Sequence, residues 1–282
     1  MSFRAALVQM RSGGDMARNF RDVEDMIRDA RARGAAFITT PEMTNILEPD
    51  RPRLRALAQP EASDESVAGF AALAAQLGVW LNIGSVALKG AGERLLNRSL
   101  LFDPKGRTVA RYDKIHLFDV DLPTGEQLRE SHAYDGGTSS VLASLPWGKL
   151  GMTICYDMRF PALYRSLSQA GAALFTVPSA FTVPTGQAHW HVLLQARAIE
   201  TGSYVLAAAQ GGRHDSGRET YGHSLAVSPW GDVLVEGGTE PKVLMLDVDI
   251  DQVATARRRI PALGHDRSFK LEILKTPQGV AS

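Results

Sequence analysis

The sequence predicts a single domain of the α/β class. Short apolar runs alternate along the chain with segments of helical periodicity, which is the pattern of α/β proteins. Two segments, GAAFITTP (34–41) and GAALFTVP (171–178), share one pattern, and each half of the chain contains one of them. In both, a glycine that ends a helix is followed by an apolar strand and then by a proline that ends the strand. This repeat fits either the order of elements found in any series of αβ units or a pseudo-symmetric sandwich of two related sheets. No Gly/Ser/Pro-rich linker divides the 282 residues, which favours one domain.

The first half opens with a predicted strand over 3–10. Apolar residues then recur every three or four positions, which places them on one face of a helix that Gly34 ends; they are Met16, Phe20, Val23, Ile27 and Ala30. The chain continues as a strand over 35–40 and a helix over 66–77 that stops at Gly78. Paired strands over 79–88 and 95–102 follow, and the turn signal DPKGR (103–107) predicts an antiparallel return over 108–112.

The second half follows the same order of elements. A strand over 150–155 delivers the single cysteine, Cys155, to its carboxyl edge, just before polar residues. The remaining segments are predicted as helices over 162–170 and 187–201, strands over 172–177, 204–209, 224–228 and 243–248, and a hairpin turn at PWGD (229–232).

Composition excludes several classes of function. Lys plus Arg and Asp plus Glu both number 31, so no net charge attracts nucleic acid or an anionic membrane. The run RRR (257–259) is predicted at a solvated helix end, where cations suit the helix dipole. No phosphate-binding glycine motif follows a strand. No apolar run approaches the ~20 residues of a membrane span. The apolar run within MSFRAALVQM (1–10) is shorter than that of a signal peptide, and a polar segment follows it at once, so we expect no signal peptide there.

The single cysteine also limits the chemistry. It rules out an internal disulfide framework and a cysteine-rich zinc site. The absence of a disulfide framework leads us to expect a cytoplasmic protein. The balanced charge and the lack of a long apolar run lead us to expect no nucleic-acid or membrane partners.

Three residues at strand ends are candidates for catalysis. Glu42 follows a strand and Pro41, Lys114 ends another strand, and Cys155 ends a third. Ligand sites in open α/β sheets form at the carboxyl ends of strands, so these side chains are predicted to converge. Each has a structural alternative: a solvated loop carboxylate, a surface lysine and a buried small hydrophobe, respectively.

A cysteine–histidine pair is the competing arrangement for thiol catalysis. Seven histidines are available, and His189 and His191 flank Trp190 in a predicted helix. Residues two apart on a helix point in different directions. The pattern therefore does not predict a shared metal or catalytic role for these two.

Several motifs together resemble the nitrilase superfamily of carbon–nitrogen hydrolases, over about residues 3–271. They are TPEMTN (40–45), RYDKIHLFD (111–119), ES (130–131), GMTICYDMRFP (151–161), PSAF (178–181), QARAIET (195–201), AAAQGGRH (207–214) and YGHSLAVSPWGDVL (221–234). The resemblance implies a four-layer αββα sandwich with pseudo-symmetric halves. It assigns 1–272 to one domain and 273–282 to a C-terminal tail. It also implies that subunits stack into a homodimer or a higher homo-oligomer.

The resemblance assigns roles residue by residue. Glu42 takes the position of the general base, Lys114 that of the lysine and Cys155 that of the nucleophile, while Glu130 matches an additional glutamate. The backbone N–H of Tyr156 is expected to stabilise the oxyanion. The implied reaction is hydrolysis of an amide through a cysteine thioester, with no metal or organic cofactor. One departure is Ala162, where the family often has glutamate, so a supporting ion pair near the site is expected to be lost.

Within the superfamily, QARAIETGSYVLAAAQGGRH (195–214) is similar to the Nit-type amidases that act on deaminated glutathione. This implies a small anionic primary amide as substrate. Arg159 is the candidate for pairing with its carboxylate, the alternative being an ion pair with Asp157 or another acid, and Phe181 and Thr185 are candidates for the pocket wall.

Several other functions stay open. They are an omega-amidase for 2-oxoglutaramate or 2-oxosuccinamate, a nitrilase, an N-carbamoyl amino acid hydrolase, a partner domain of an amide-forming synthetase, and a catalytically silent binding subunit.

Overall fold

The computed structural model describes residues 1–122 and 125–274. Its strands are β1 (Ser2–Gln9), β2 (Phe37–Thr39), β3 (Trp80–Lys89), β4 (Leu95–Phe102), β5 (Thr108–Asp113), β6 (Asp119–Asp121), β7 (Gln127–Arg129), β8 (Tyr134–Asp135), β9 (Val141–Leu145), β10 (Gly148–Met152), β11 (Ala172–Thr176), β12 (Tyr204–Ala207), β13 (Gly211–Arg213), β14 (Glu219–Tyr221), β15 (Leu225–Val227), β16 (Val233–Glu236) and β17 (Lys242–Asp249). Its α-helices are α1 (Met16–Ala32), α2 (Arg51–Leu57), α3 (Glu65–Leu77), α4 (Pro161–Gln169), α5 (Val183–Thr201) and α6 (Asp251–Arg259).

The two large sheets have matching topologies. One has the strand order β17-β1-β2-β3-β4-β5, with β8 beside β4, and the other has the order β9-β10-β11-β12-β15-β16. In each, three parallel strands are flanked by antiparallel ones, so β1, β2 and β3 correspond to β10, β11 and β12. The repeated sequence segments lead into β2 and β11, which occupy equivalent places. The predicted pseudo-symmetry is therefore confirmed.

The sheets pack face to face between two layers of helices. Along β1, Ala5 and Leu7 join the core shared with the second sheet, while Ala6 and Val8 join the core under α1 and α3. This alternation is the period of two expected for a strand buried on both faces. On the other side, α4 and α5 cover the second sheet, with Trp190 fully buried. The predicted four-layer αββα sandwich is confirmed.

Two predicted element boundaries were wrong in ways that affect the site. The strand predicted to end at Cys155 ends at Met152, and Cys155 begins a short 3-10 helix that runs to Arg159. The helix predicted from Gln187 starts at Val183, since Pro184 suits a first helical turn. Thr185 therefore lies in the first turn of α5.

The arginine run ends α6, as predicted, but it is not solvated throughout. Arg257 donates from Nη2 to Ser203 Oγ at 2.8 Å and from Nε to the Thr201 carbonyl at 3.1 Å. Burial lowers the pKa of Arg257. The residue therefore ties α6 to the strand layer.

The structure describes only a small part of the predicted C-terminal tail. Residues 275–282, most of the predicted tail over 273–282, lie outside the described residues. Within the described ranges, no helix has the length and apolar character needed to cross a membrane.

Candidate active site

A cavity of about 200 Å³ opens where strands of both sheets end. This is more than ten times the ~15 Å³ that one water molecule needs. Its wall includes four of the residues predicted to carry the chemistry, namely Glu42, Lys114, Glu130 and Cys155. The structure thus brings together side chains that lie up to 113 positions apart in the sequence.

Lys114 lies between two carboxylates. Its Nζ donates to Glu42 Oε1 at 2.8 Å and to the two oxygens of Glu130 at 2.9 and 3.0 Å. The lysine side chain is 2% exposed. A buried charge is tolerated when it is paired and hydrogen-bonded in this way.

Further donors fix the orientation of the two carboxylates. Asn97, on β4, donates from Nδ2 to Glu42 at 2.9 Å and to Glu130 at 3.1 Å. The second oxygen of Glu42 accepts from the Ala180 N–H at 2.9 Å, and that of Glu130 accepts from the Phe118 N–H at 2.6 Å. Both glutamates are therefore held by contacts from separate segments of the chain.

The charges set the protonation states at rest. Burial acts to raise the pKa of Glu42, but the Lys114 ammonium outweighs it, and the pKa lies below its usual value. Burial acts to lower the pKa of Lys114, yet the carboxylates of Glu130 and Glu42 hold it well above its usual value. Burial and the Glu42 charge raise the pKa of Cys155. At neutral pH the site therefore holds a carboxylate, an ammonium and a protonated thiol.

Cys155 sits on a strained turn. Its φ of 49° is in the left-handed region, which costs a non-glycine residue of the order of 1–3 kcal/mol. Its N–H donates to the Pro178 carbonyl at 2.9 Å, and its thiol lies beside the Glu42 carboxylate and the Ala180 N–H. The N–H of the next residue, Tyr156, finds no protein acceptor in residues 1–122 and 125–274.

Asp157 holds this turn in place. Its fully buried carboxylate accepts hydrogen bonds from the Ile154 N–H at 2.8 Å, Tyr112 Oη at 2.6 Å and the His116 N–H at 3.1 Å. His116 Nδ1 also lies 2.7 Å from it. Because Tyr112 and His116 flank Lys114 in the sequence, Asp157 fixes the cysteine turn against the lysine segment.

A second strained residue lies beside Glu42. Met43 has a φ of 58°, and its N–H donates to Ser85 Oγ at 2.9 Å. Gln210 donates from Nε2 to the Glu42 carbonyl at 3.0 Å. Tertiary contacts thus impose a conformation that this segment would not adopt alone.

The predicted substrate-binding residues separate into two groups. Phe181 and Thr185 line the cavity, as does Tyr156, whose N–H was predicted to stabilise the oxyanion. Arg159 is not among the lining residues: its guanidinium lies 5.9 Å from the Tyr156 ring and 5.8 Å from the Phe181 ring. Within the described residues it makes no ion pair with Asp157 and instead contacts His189 at 3.2 Å. Arg159 therefore supports the wall from behind.

Other arginines reach the cavity. Arg129 is paired with Asp121 at 2.6 Å, whereas Arg51 and Arg218 form no ion pair within the described residues. Sequence reasoning missed both, together with Asn97 and Asp157. A polar residue such as Asn97 inside the apolar strand LLNRSLLF (95–102) is a signal that points to a buried polar contact. Nothing local distinguished Arg218 from other surface arginines.

Comparison with known proteins gives consistent results. The Carbon-nitrogen hydrolase family model matches residues 4–258. The deaminated glutathione amidase of Bos taurus is 39% identical over 267 residues, which are 93% of this chain and 81% of the relative. The NitFhit protein of C. elegans superposes with a TM-score of 0.89 at 36% identity, over 94% of this chain and 65% of that chain, so the present chain corresponds to part of that longer protein.

A second similar structure is a glutamate-to-glutamine mutant of the amidase from Nesterenkonia sp. AN1. It superposes with a TM-score of 0.77 at 27% identity, over 92% of this chain and 98% of that one. That structure shows Michael addition of acrylamide at the active-site cysteine of the amidase.

Proposed function

The chain belongs to the carbon–nitrogen hydrolase family, and from this premise we propose that it is a thiol-dependent amidase that converts a small anionic primary amide to a carboxylic acid and ammonia. Hydrolysis of non-peptide carbon–nitrogen bonds is the activity of the family. The observation that carries the finer proposal is the cavity on whose wall Glu42, Lys114 and Cys155 meet. A carboxylate beside a protonated thiol is the arrangement needed to activate a nucleophile.

In the first step, Glu42 accepts the proton of the Cys155 thiol as the sulfur attacks the amide carbon. A carbon–sulfur bond forms, and the carbonyl electron pair moves to the oxygen. The Lys114 ammonium and the N–H of Tyr156 stabilise this oxyanion. Loss of one such donor typically costs ~2.7–4 kcal/mol of transition-state stabilisation.

In the second step, the carbon–nitrogen bond breaks. Glu42 returns its proton to the departing ammonia, and a thioester remains on Cys155. Glu42 then removes a proton from a water molecule that attacks the thioester, and the proton passes to the leaving sulfur. The cycle ends with the carboxylic acid and the original protonation states, and these steps use no metal or organic cofactor.

Glu130 acts in this scheme through Lys114. Its two contacts with the ammonium keep the lysine charged and aimed into the cavity. Asn97 bridges Glu130 and Glu42, which holds the base and the lysine at a fixed separation. We propose both as positioning residues.

Deaminated glutathione is the proposed substrate. The Bos taurus relative carries that name, and Arg51 and Arg218 place guanidinium groups at the cavity wall. Guanidinium binds carboxylate in a bidentate manner. The substrate's carboxylates would therefore meet cations at the wall while its amide reaches Cys155.

The test is ammonia release from deaminated glutathione, 2-oxoglutaramate, a simple nitrile and an N-carbamoyl amino acid. We expect deaminated glutathione to give the highest kcat/KM. A higher value for 2-oxoglutaramate would assign an omega-amidase instead, and a preference for the nitrile or carbamoyl substrate would reject the amidase. If none reacts and Cys155 resists alkylation, the chain is a silent binding subunit.

Arg218→Met tests the recognition of charge. Loss of one charged hydrogen bond costs about 1.5–3 kcal/mol, so we expect KM for deaminated glutathione to rise by about 10- to 100-fold with little change in kcat. Arg213→Met, an exposed arginine on the neighbouring strand, is the matched control and should leave KM unchanged. Equal effects of both variants would reject the role of Arg218.

We also propose that two copies of the chain associate through the apolar outer face of α5 and the β15–β16 hairpin. The exposed side chains there are Val192, Ile199, Trp230, Val233 and Leu234. An exposed apolar patch of this kind marks an interaction surface. Val192→Glu would then reduce the mass measured by light scattering from that of a dimer to that of one chain. A cytoplasmic location is proposed because a nucleophilic thiol stays reduced there.

A further inference from the structure

A second cluster of reactive side chains lies outside the catalytic cavity. His191 on α5, His223 in the loop before β15 and Glu236 at the end of β16 come together at the surface of the second sheet. Among residues 1–122 and 125–274, these three form the one group of histidine, cysteine or acidic side chains whose ligand atoms lie close enough together to hold a metal ion. None of the three lines the catalytic cavity.

Both imidazoles point at one carboxylate oxygen. His191 Nε2 lies 3.1 Å and His223 Nδ1 lies 2.7 Å from Glu236 Oε1. The three ligand atoms all lie within 4.8 Å of one another. A tetrahedral zinc ion with bonds of ~2.0–2.1 Å separates its ligand atoms by about 3.4 Å. Small side-chain rotations would therefore place all three atoms around one ion.

The position of His223 is built into the fold. Its backbone has a φ of 53°, in the left-handed region. Its carbonyl accepts from Trp190 Nε1 at 2.7 Å, and its N–H donates to the Gly238 carbonyl. The Tyr221 ring stacks on the imidazole at 4.3 Å. The ring thus faces Glu236 in a fixed direction, which reduces the entropy that a ligand would have to remove.

In the single chain the site is open to ions from solvent, and it borders the face of α5 and the β15–β16 hairpin proposed above for the association of two copies. The side chains of His191, His223 and Glu236 are 31%, 25% and 41% exposed. Two imidazoles and one carboxylate form the three-ligand set that zinc accepts with a fourth position left for water. Imidazole also suits copper and nickel, whereas magnesium and calcium prefer oxygen ligands.

We propose that His191, His223 and Glu236 bind one divalent transition-metal ion of the zinc type. The ion takes the place of the protons that the two rings now share with the carboxylate. It connects α5 to the β15–β16 hairpin and the loop before it. Because α5 also carries Thr185 to the cavity wall, the ion fixes the helix on which part of that wall stands.

The test is titration of the full chain with Zn²⁺ by calorimetry after removal of metals with a chelator. The Cys155→Ser background is used, so that the catalytic thiol does not act as a ligand. We expect one ion per chain and a rise in Tm on binding. His191→Ala and Glu236→Gln should each weaken binding by at least tenfold. Glu236→Gln retains the shape of the side chain, which keeps the test valid if an alanine variant is unstable.

His189→Ala is the matched control. It lies on the same helix and is exposed, but its ring contacts Arg159 and not Glu236. It should bind Zn²⁺ as the parent does. Absence of binding by the parent, or equal weakening by His189→Ala and His191→Ala, would overturn the proposal.

Discussion

Asp157→Asn should show whether Asp157 positions the nucleophile or only stabilises the fold. The carboxylate of Asp157 accepts bonds from Ile154, Tyr112 and His116 and is fully buried. An amide of the same shape has only one acceptor oxygen. At least one of the buried donors that now point at the second oxygen would face an NH₂ group instead.

The cost follows from these contacts. A buried donor left without its acceptor costs about 1–3 kcal/mol, and the remaining bonds lose their charge assistance. We therefore expect a decrease of about 2–5 kcal/mol in the free energy of unfolding. Because Asp157 joins the Cys155 turn to the segment that carries Lys114, the two groups should also shift apart. A misplacement of about 1 Å can cost about 100-fold in rate.

Urea denaturation and steady-state ammonia release measure the two effects on the same variant. Asp103→Asn is the matched control, because its buried carboxylate also accepts backbone bonds, from Lys105 and Arg107. Asp103 lies at the other end of β5 from Lys114, so this variant should lose stability and keep kcat. If Asp157→Asn keeps kcat within about twofold, or if Asp103→Asn loses as much, Asp157 does not position the nucleophile.

Three further predictions concern the charges of the site. Because the pKa of Glu42 lies below its usual 4.5, this base stays ionised to a lower pH than an ordinary carboxylate. The raised pKa of Cys155 keeps the thiol protonated through neutral pH. Activity is therefore lost only as pH falls through the folded pKa of Glu42. A pH profile of kcat/KM should therefore be flat between about pH 5 and pH 8, and an inflection near neutrality would contradict this. Glu42→Gln should lower kcat by about 10²–10⁴-fold, while iodoacetamide should alkylate Cys155 at lower pH than in the wild type, because the charge that raises its pKa is gone; an unchanged alkylation profile would argue against their contact. Asn97→Leu should lower kcat by at least tenfold because it removes the donor that Glu42 and Glu130 share. Unchanged kinetics would show that Lys114 and the backbone N–H groups of Ala180 and Phe118 hold the two carboxylates without Asn97.

The architecture was predictable because it depends on repeating local patterns. The repeated segments that contain β2 and β11 fitted either ordinary αβ units or two related sheets, the resemblance to the nitrilase superfamily implied the second, and the structure places both strands at equivalent positions. The continuous apolar run over residues 5–8 reflects burial on both faces of β1. Such signals lie within ten or so residues and need no knowledge of distant contacts.

The details of the site depend on contacts over long distances. Cys155 was expected to end a strand, but Asp157 accepts from Ile154, Tyr112 and His116 and bends the chain into a turn. Arg159 was expected to face substrate, but neighbouring rings and His189 hold it outside the cavity. No local pattern specifies either outcome, because each is decided by residues tens of positions away.

The central claim is that Cys155 is the nucleophile of an amidase. Its most direct test is ammonia release from deaminated glutathione by the wild type and by Cys155→Ala, together with mass spectrometry of rapidly quenched wild-type protein. We predict turnover by the wild type, an acyl group on Cys155 during turnover, and loss of ammonia release in the variant to the uncatalysed rate. Turnover by Cys155→Ala within about tenfold of the wild type would contradict the account, since removal of a covalent nucleophile costs orders of magnitude more.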